Sequence, residues 1–247
     1  MNYCKRKRLG NSFQAAFPYG LLHHKEFCMT TSTTIRRYSV HEEIANSITH
    51  GIGILFSVAA LGVITAFSSV FGNAWHIVSC SIYSGTMIFM YTASTLYHSI
   101  PLLKAKSVLR VLDHCAIFLL IAGTYTPLTL VSLRGPWGWT LFGIVWGLAI
   151  LGILAQVLLS QKYHWISIGI YLGMGWAIVA AVKPMLSAMA TGGLVLLLVG
   201  GLCYTLGIFF YIRKKMPYSH AIWHLFVLAG TVFQFFSILL YVIPVFG

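Results

Sequence analysis

Acidic side chains are nearly missing from this sequence: four of its 247 residues are Asp or Glu, against 16 Lys and Arg, and charge of both signs makes up only 8% of the chain. A soluble domain carries about 25% charged residues, so twenty charged side chains are too few to clothe a water-exposed surface of this size. The low charge and the 58% hydrophobic content also exclude disorder, which needs a polar, strongly charged chain. The five cysteines are odd in number and scattered, with no CxxC pair, so neither a disulfide framework nor a thiolate metal finger is indicated. The start of the chain lacks a secretory leader pattern: KRKR at 5–8 is followed by an apolar stretch broken by Pro18, His23, His24 and Lys25.

What the sequence has instead is long apolar runs. Seven stretches approach the roughly 20 residues that a helix needs to cross a bilayer: 46–68, 76–98, 112–132, 138–159, 165–182, 191–212 and 221–243. Runs such as Leu194 to Val199 are apolar on every face, which excludes the alternating pattern of a membrane β-barrel. The expected fold is an all-α integral membrane bundle of seven spans over 41–247, preceded by a mobile basic tail over 1–40. Segment 36–46 reads as a short amphipathic approach along the inner membrane face, and Met29 reads as an alternative start.

The basic residues lie in patches between the apolar runs, so they are a topology signal and not a nucleic-acid footprint. Lys5, Arg6, Lys7, Arg8, Lys25, Arg36 and Arg37 of the tail, Lys104, Lys106 and Arg110 of the second loop, Lys162 of the fourth, and Arg213, Lys214 and Lys215 of the sixth fall on one side, 14 in all. Only Arg134 and Lys183 fall on the other. By the positive-inside rule the N-terminus is cytoplasmic and the C-terminus outside. Localisation in the inner (plasma) membrane follows, with membrane lipids as the expected partners, and no nucleic acid or protein partner.

Ionisable groups within spans are costly and mark functional positions. Glu43, Asn46 and His50 share one face of the first span, Ser94 and His98 end the second, Asp113 opens the third, and His220 and His224 open the seventh. That topology brings all of them to the cytoplasmic end. Three imidazoles and a carboxylate at one depth suggest a metal site. His220 and His224, four residues apart, can reach one Zn²⁺ with His98 as the third ligand. Asp113 could bind directly, or accept a hydrogen bond from a water on the metal and act as general base. Ser94 could support a ligand or steady a polarised carbonyl, and Glu43, Asn46 and His50 are supporting groups around the ligands. His114 points about 100° away from Asp113 and is not expected to ligate. Gly62, Gly85, Gly123, Gly143, Gly147, Gly173, Gly175, Gly200 and Gly201 are expected where helices pack closely.

The stretches EEIANSITHGIG at 42–53, STLYH at 94–98, DHCAIFLLIAGTYTP at 113–127 and SHAIWH at 219–224 resemble the bacterial hemolysin III proteins of the progestin and adipoQ receptor family, which includes the adiponectin receptors. The resemblance runs from residue 40 to the end. It implies seven spans with the N-terminus inside and a zinc ion held by His98, His220 and His224, with Asp113 on a zinc-bound water and Ser94 nearby. A likeness to alkaline ceramidases implies a zinc-dependent hydrolase of a lipid amide or ester. The alternative is a non-enzymatic regulator or sensor of membrane lipid homeostasis and energetics, in which zinc is a structural staple. The lytic phenotype in the family name reads as an effect of overproduction. An ion pathway is disfavoured, because the outer halves of the spans offer only scattered Thr, Ser and Tyr.

Overall fold

The computed structural model describes residues 38–158, 164–213 and 215–244. Residues 1–37 of the tail expected over 1–40, and the positions of Lys162 and Lys214, lie outside them. Among the described residues the secondary structure is entirely helical: α1 (Val40–Phe71), α2 (Ala74–Ser99), α3 (Leu103–Pro127), α4 (Pro136–Leu158), α5 (His164–Gly175), α6 (Val182–Ala188), α7 (Thr191–Ile212) and α8 (Ser219–Tyr241). A π-helical turn, Leu128–Ser132, extends α3, and a 3₁₀ turn, Ala177–Ala181, joins α5 to α6.

Six segments are long and apolar enough to cross a membrane: α1, α3 with its π turn, α4, the α5–α6 segment, α7 and α8. The remaining expected span is the 26-residue helix α2, which has the length but not the composition. Its serines, threonines and tyrosines dilute its apolar character, and many face the protein, with Ser79, Tyr83, Ser84, Tyr91, Ser94 and His98 all buried.

The burial pattern inverts that of a soluble protein. In α1 the inward stripe is Asn46, His50, Gly53, Ser57, Ala60, Ile64 and Ser68, while Ile44, Ile48, Ile52 and Leu55 face outward. Small and polar residues inside let helices approach, and bulky aliphatic ones outside suit lipid. In α7 the buried positions are Gly193, Gly200 and Gly207, spaced by seven, against α8. Close approach is also required at Gly53, which lies on the Tyr91 ring, and at Gly230, which lies on the Tyr204 ring. Of the glycines expected at tight contacts, Gly123 and Gly200 are tight, whereas Gly62, Gly85, Gly143, Gly147, Gly173 and Gly175 face open space. Glycine content alone does not reveal which face of a span meets protein.

Two boundaries differ from expectation in ways that matter for the site. Helix α1 begins at Val40, so 40–46 is its first turns and not a separate surface helix. Ser39 caps it, accepting a hydrogen bond from the Glu42 N–H, while the Glu42 carboxylate accepts from the Ser39 N–H. Helix α3 begins at Leu103, nine residues before the expected span, so Lys104, Lys106 and Arg110 are helical and not loop, with Lys106 and Arg110 buried. A basic residue within a helix can still snorkel or pair, and hydropathy does not distinguish this from a loop.

The α5–α6 segment is broken in the middle of its expected span, where free backbone groups would be expensive. Tyr125 of α3 repairs the break. Its hydroxyl donates to the Gly175 carbonyl at 2.9 Å and accepts from the Ile178 N–H at 2.9 Å.

Candidate metal centre

Three helix ends meet at one end of the bundle. Helix α2 stops just after His98 because Pro101 disfavours helix in the residue before it. Helix α8 starts at Ser219 and carries His220 and His224 on its first two turns. The residue before it, Tyr218, has a left-handed backbone (φ 55°), and its N–H donates to Oε1 of Glu42 at 3.2 Å. The capping glutamate of α1 thereby also fixes where α8 begins.

His98, His220 and His224 are buried, and one ligand atom from each lies within 4.8 Å of the others. Their ring centroids are 4.5–5.2 Å apart. The Nε2 atoms of His98 and His224 are buried without a hydrogen-bond partner among the described residues. Unpartnered buried nitrogens cost about 1–3 kcal/mol each, so the two call for a common occupant.

For His98 and His224 the opposite ring edge explains why Nε2 makes no hydrogen bond. Nδ1 of His224 lies 3.2 Å from the Asn46 carbonyl, which can only accept, so Nδ1 carries the proton and Nε2 keeps its lone pair. Thr49 Oγ1 lies at 3.2 Å from the same atom. Nδ1 of His98 lies 2.6 Å from Oε2 of Glu43 and 3.3 Å from Nδ2 of Asn46. The two contacts cannot both be hydrogen bonds to one protonated nitrogen. The carboxylate contact is shorter and charge-assisted, so it decides the tautomer, again freeing Nε2. Lys106 holds the other oxygen of Glu43 at 2.6 Å and lies over the Tyr97 ring. Three clustered imidazoles, two of them braced from behind by a carboxylate and a carbonyl, suit zinc or a similar divalent ion.

Of the other expected site residues, Glu43, Asn46 and His50 touch this group. His50 stacks on His224, with centroids 3.5 Å apart and planes 13° from parallel, and neither of its nitrogens has a partner among the described residues. Ser94 is fully buried with an unpartnered Oγ. Asp113 is 6% exposed and lies outside the histidine group; it and His50 are among the residues that line a cavity of about 360 Å³. The cavity wall is mostly apolar, including Leu120, Ile121, Leu128, Val179, Met185 and Leu194. His114 turns away, its Nδ1 contacting the Arg110 carbonyl at 2.6 Å.

Sequence reasoning did not find Lys106, Thr49 or Tyr38, whose ring lies 5.1 Å from that of His220. The signal for Lys106 is that a cation three residues into a helix next to a carboxylate-bearing site can pair with it instead of marking a loop. Three of the chain's four acidic residues, Glu42, Glu43 and Asp113, lie at this end of the bundle.

A family model described as Haemolysin-III related matches residues 38–235. The chain is 46% identical over 208 residues to a hemolysin-3 homolog of Bacillus subtilis (strain 168), covering 84% of this chain and 98% of the relative. It is 45% identical over 216 residues to hemolysin-3 of Bacillus cereus, covering 87% and 99%. A more distant relative is the human monocyte to macrophage differentiation factor, 29% identical over 206 residues, covering 80% and 83%.

Proposed function

The chain belongs to the haemolysin-III related family, and on that premise we propose that it is a zinc-dependent hydrolase of a lipid amide or ester, resident in the inner (plasma) membrane. In this reading α2 is the seventh crossing, and the metal end of the bundle faces the cytoplasm. Support comes from the 14-to-two distribution of Lys and Arg that a seven-span assignment gives, which fits the positive-inside rule. The burial of the α2 hydroxyls inside the bundle, where those of Tyr83 and Tyr91 reach Thr231 of α8, removes the compositional objection to placing it in lipid.

The single observation that carries the chemistry is the meeting of His98, His220 and His224, one ligand atom of each within 4.8 Å of the others, near an apolar cavity that Asp113 helps to line. Zinc held by His98, His220 and His224 would supply Lewis acidity toward a carbonyl and activate water near neutral pH. The acyl chain would lie along the cavity, entering sideways from the membrane. Val179, Val182, Leu186 and Leu198 line the cavity and are also exposed on the outer face of the bundle. Asp113 would take a proton from the attacking water on a carboxylate oxygen and return it to the leaving nitrogen or oxygen. Ser94, with its Oγ unpartnered, would donate to the carbonyl oxygen as it gains charge.

The test is hydrolysis of a panel of lipid amides and esters by purified protein in mixed micelles. Asp113→Ala should abolish turnover and keep the metal, whereas His224→Ala should lose both. Turnover surviving in either variant contradicts the reading. Full metal occupancy with no turnover on any lipid would favour the structural staple, in which zinc ties α2 to α8 in a membrane sensor.

A further inference from the structure

Among the described residues, one buried cation at this end of the bundle forms no ion pair. Arg110 lies on α3 one turn before Asp113 and is 8% exposed. Its Nε and Nη2 are buried and make no hydrogen bond among the described residues. The ion pairs nearby go elsewhere: Glu43 is taken by Lys106 and His98. Asp113 forms no ion pair with Arg110.

A guanidinium stays charged at any pH a cell meets, so it cannot escape burial by losing its proton. Removing a charge from water costs several kcal/mol unless a partner compensates it. Nε and Nη2 are also a particular pair of atoms. Their N–H bonds run side by side along one edge of the guanidinium, the edge that meets two oxygens of a carboxylate or phosphate at once. That edge of Arg110 therefore matches the geometry of a two-oxygen anion.

The position relates this edge to the cavity. Arg110 and Asp113 are three residues apart on α3, about 4.5 Å along the axis, and Asp113 lines the cavity. A ligand with its chain in the cavity and its reacting group near Asp113 would have its head group next to Arg110.

We propose that Arg110 is the subsite for an anionic pair of oxygens, phosphate or carboxylate, on the head of the lipid that occupies the cavity. This deepens the hydrolase reading and rests on its placement of the lipid. It narrows the substrate class to acidic or zwitterionic amphiphiles, and sets it apart from neutral lipids whose head offers only hydroxyls.

The test is the thermal melting of the full chain in neutral detergent, titrated separately with dioleoyl phosphatidylglycerol, dioleoylglycerol and inorganic phosphate. Wild-type protein should show a dose-dependent rise in melting temperature with phosphatidylglycerol, and none with dioleoylglycerol, which has the same tails. Arg110→Gln should lose the rise. A rise with inorganic phosphate that Arg110→Gln also loses keeps the anion site and assigns it to free phosphate. An equal rise with dioleoylglycerol, an unchanged rise in Arg110→Gln, or no rise in wild-type protein overturns the proposal. Should Arg110→Gln not fold, Arg110→Lys carries the test. It keeps the charge without the two-pronged edge, so it should respond more weakly than wild type, and an undiminished response overturns the proposal. Turnover is not read and the protein is used with and without chelator, so failure here is distinct from failure of the hydrolase reading.

Discussion

Glu43 and His98, 55 positions apart in the chain, meet with Oε2 of one 2.6 Å from Nδ1 of the other. The contact turns a carboxylate on α1 into the brace of a ligand on α2. It sets the proton on Nδ1, raises the basicity of Nε2 and fixes the ring plane.

Replacing Glu43 with Gln should therefore weaken metal binding about 10–100-fold while leaving the helical content unchanged. Competition against a zinc chelator of known affinity measures the change. An unaltered dissociation constant would mean that the brace has no influence on the ligand.

Lys106→Met should destabilise the protein, because it strips Glu43 of its cation. Glu43 retains 17% side-chain exposure, so the loss should fall between the roughly 1 kcal/mol of a surface pair and the roughly 3–5 kcal/mol of a buried one. Unfolding in mixed micelles gives the value. Combining Lys106→Met with Glu43→Gln should cost less than the sum of the two, since each removes the same contact. Additive losses would show that the two side chains act independently.

Glycine substitutions should divide by what they face. Gly53→Ala drives a methyl into the buried Tyr91 ring, and Gly230→Ala into the Tyr204 ring. Both tyrosines are held by hydrogen bonds to Thr231, at 2.8 and 3.0 Å, and cannot easily give way. Each substitution should cost about 1–3 kcal/mol by overpacking. Gly62→Ala and Gly147→Ala face open space and should be neutral, or stabilising by roughly 0.5–1 kcal/mol through lower unfolded-chain entropy. Melting temperatures of the four variants decide it, and uniform effects would contradict the packing described.

The helical architecture and the meeting of His98 with His220 and His224 were legible in the sequence for physical reasons. Long apolar runs have one stable backbone solution in lipid, and histidines four apart share a helix face. The stacking of His50 on His224 was not legible, because three-residue and four-residue spacings identify a face but not the ring that it meets. Lys106 and Arg110 were hidden by the same hydropathy rule that found the spans, which treats every cation as a boundary. The break after Gly175 left no trace either, since both halves are apolar and its repair comes from Tyr125, 50 residues earlier. Helix α2 shows the converse limit: its composition is too polar for a span by hydropathy, because its hydroxyls are buried against neighbours that a single segment does not reveal.

The most direct test of the account is the metal content of protein purified without added metal, for the wild type and for His98→Ala, His220→Ala and His224→Ala, with circular dichroism on each to show that the helices persist. The account predicts about one zinc per chain in wild-type protein and a large loss in all three folded variants. Metal-free wild-type protein that stays metal-free after incubation with zinc, or a folded variant that keeps full occupancy, would contradict it.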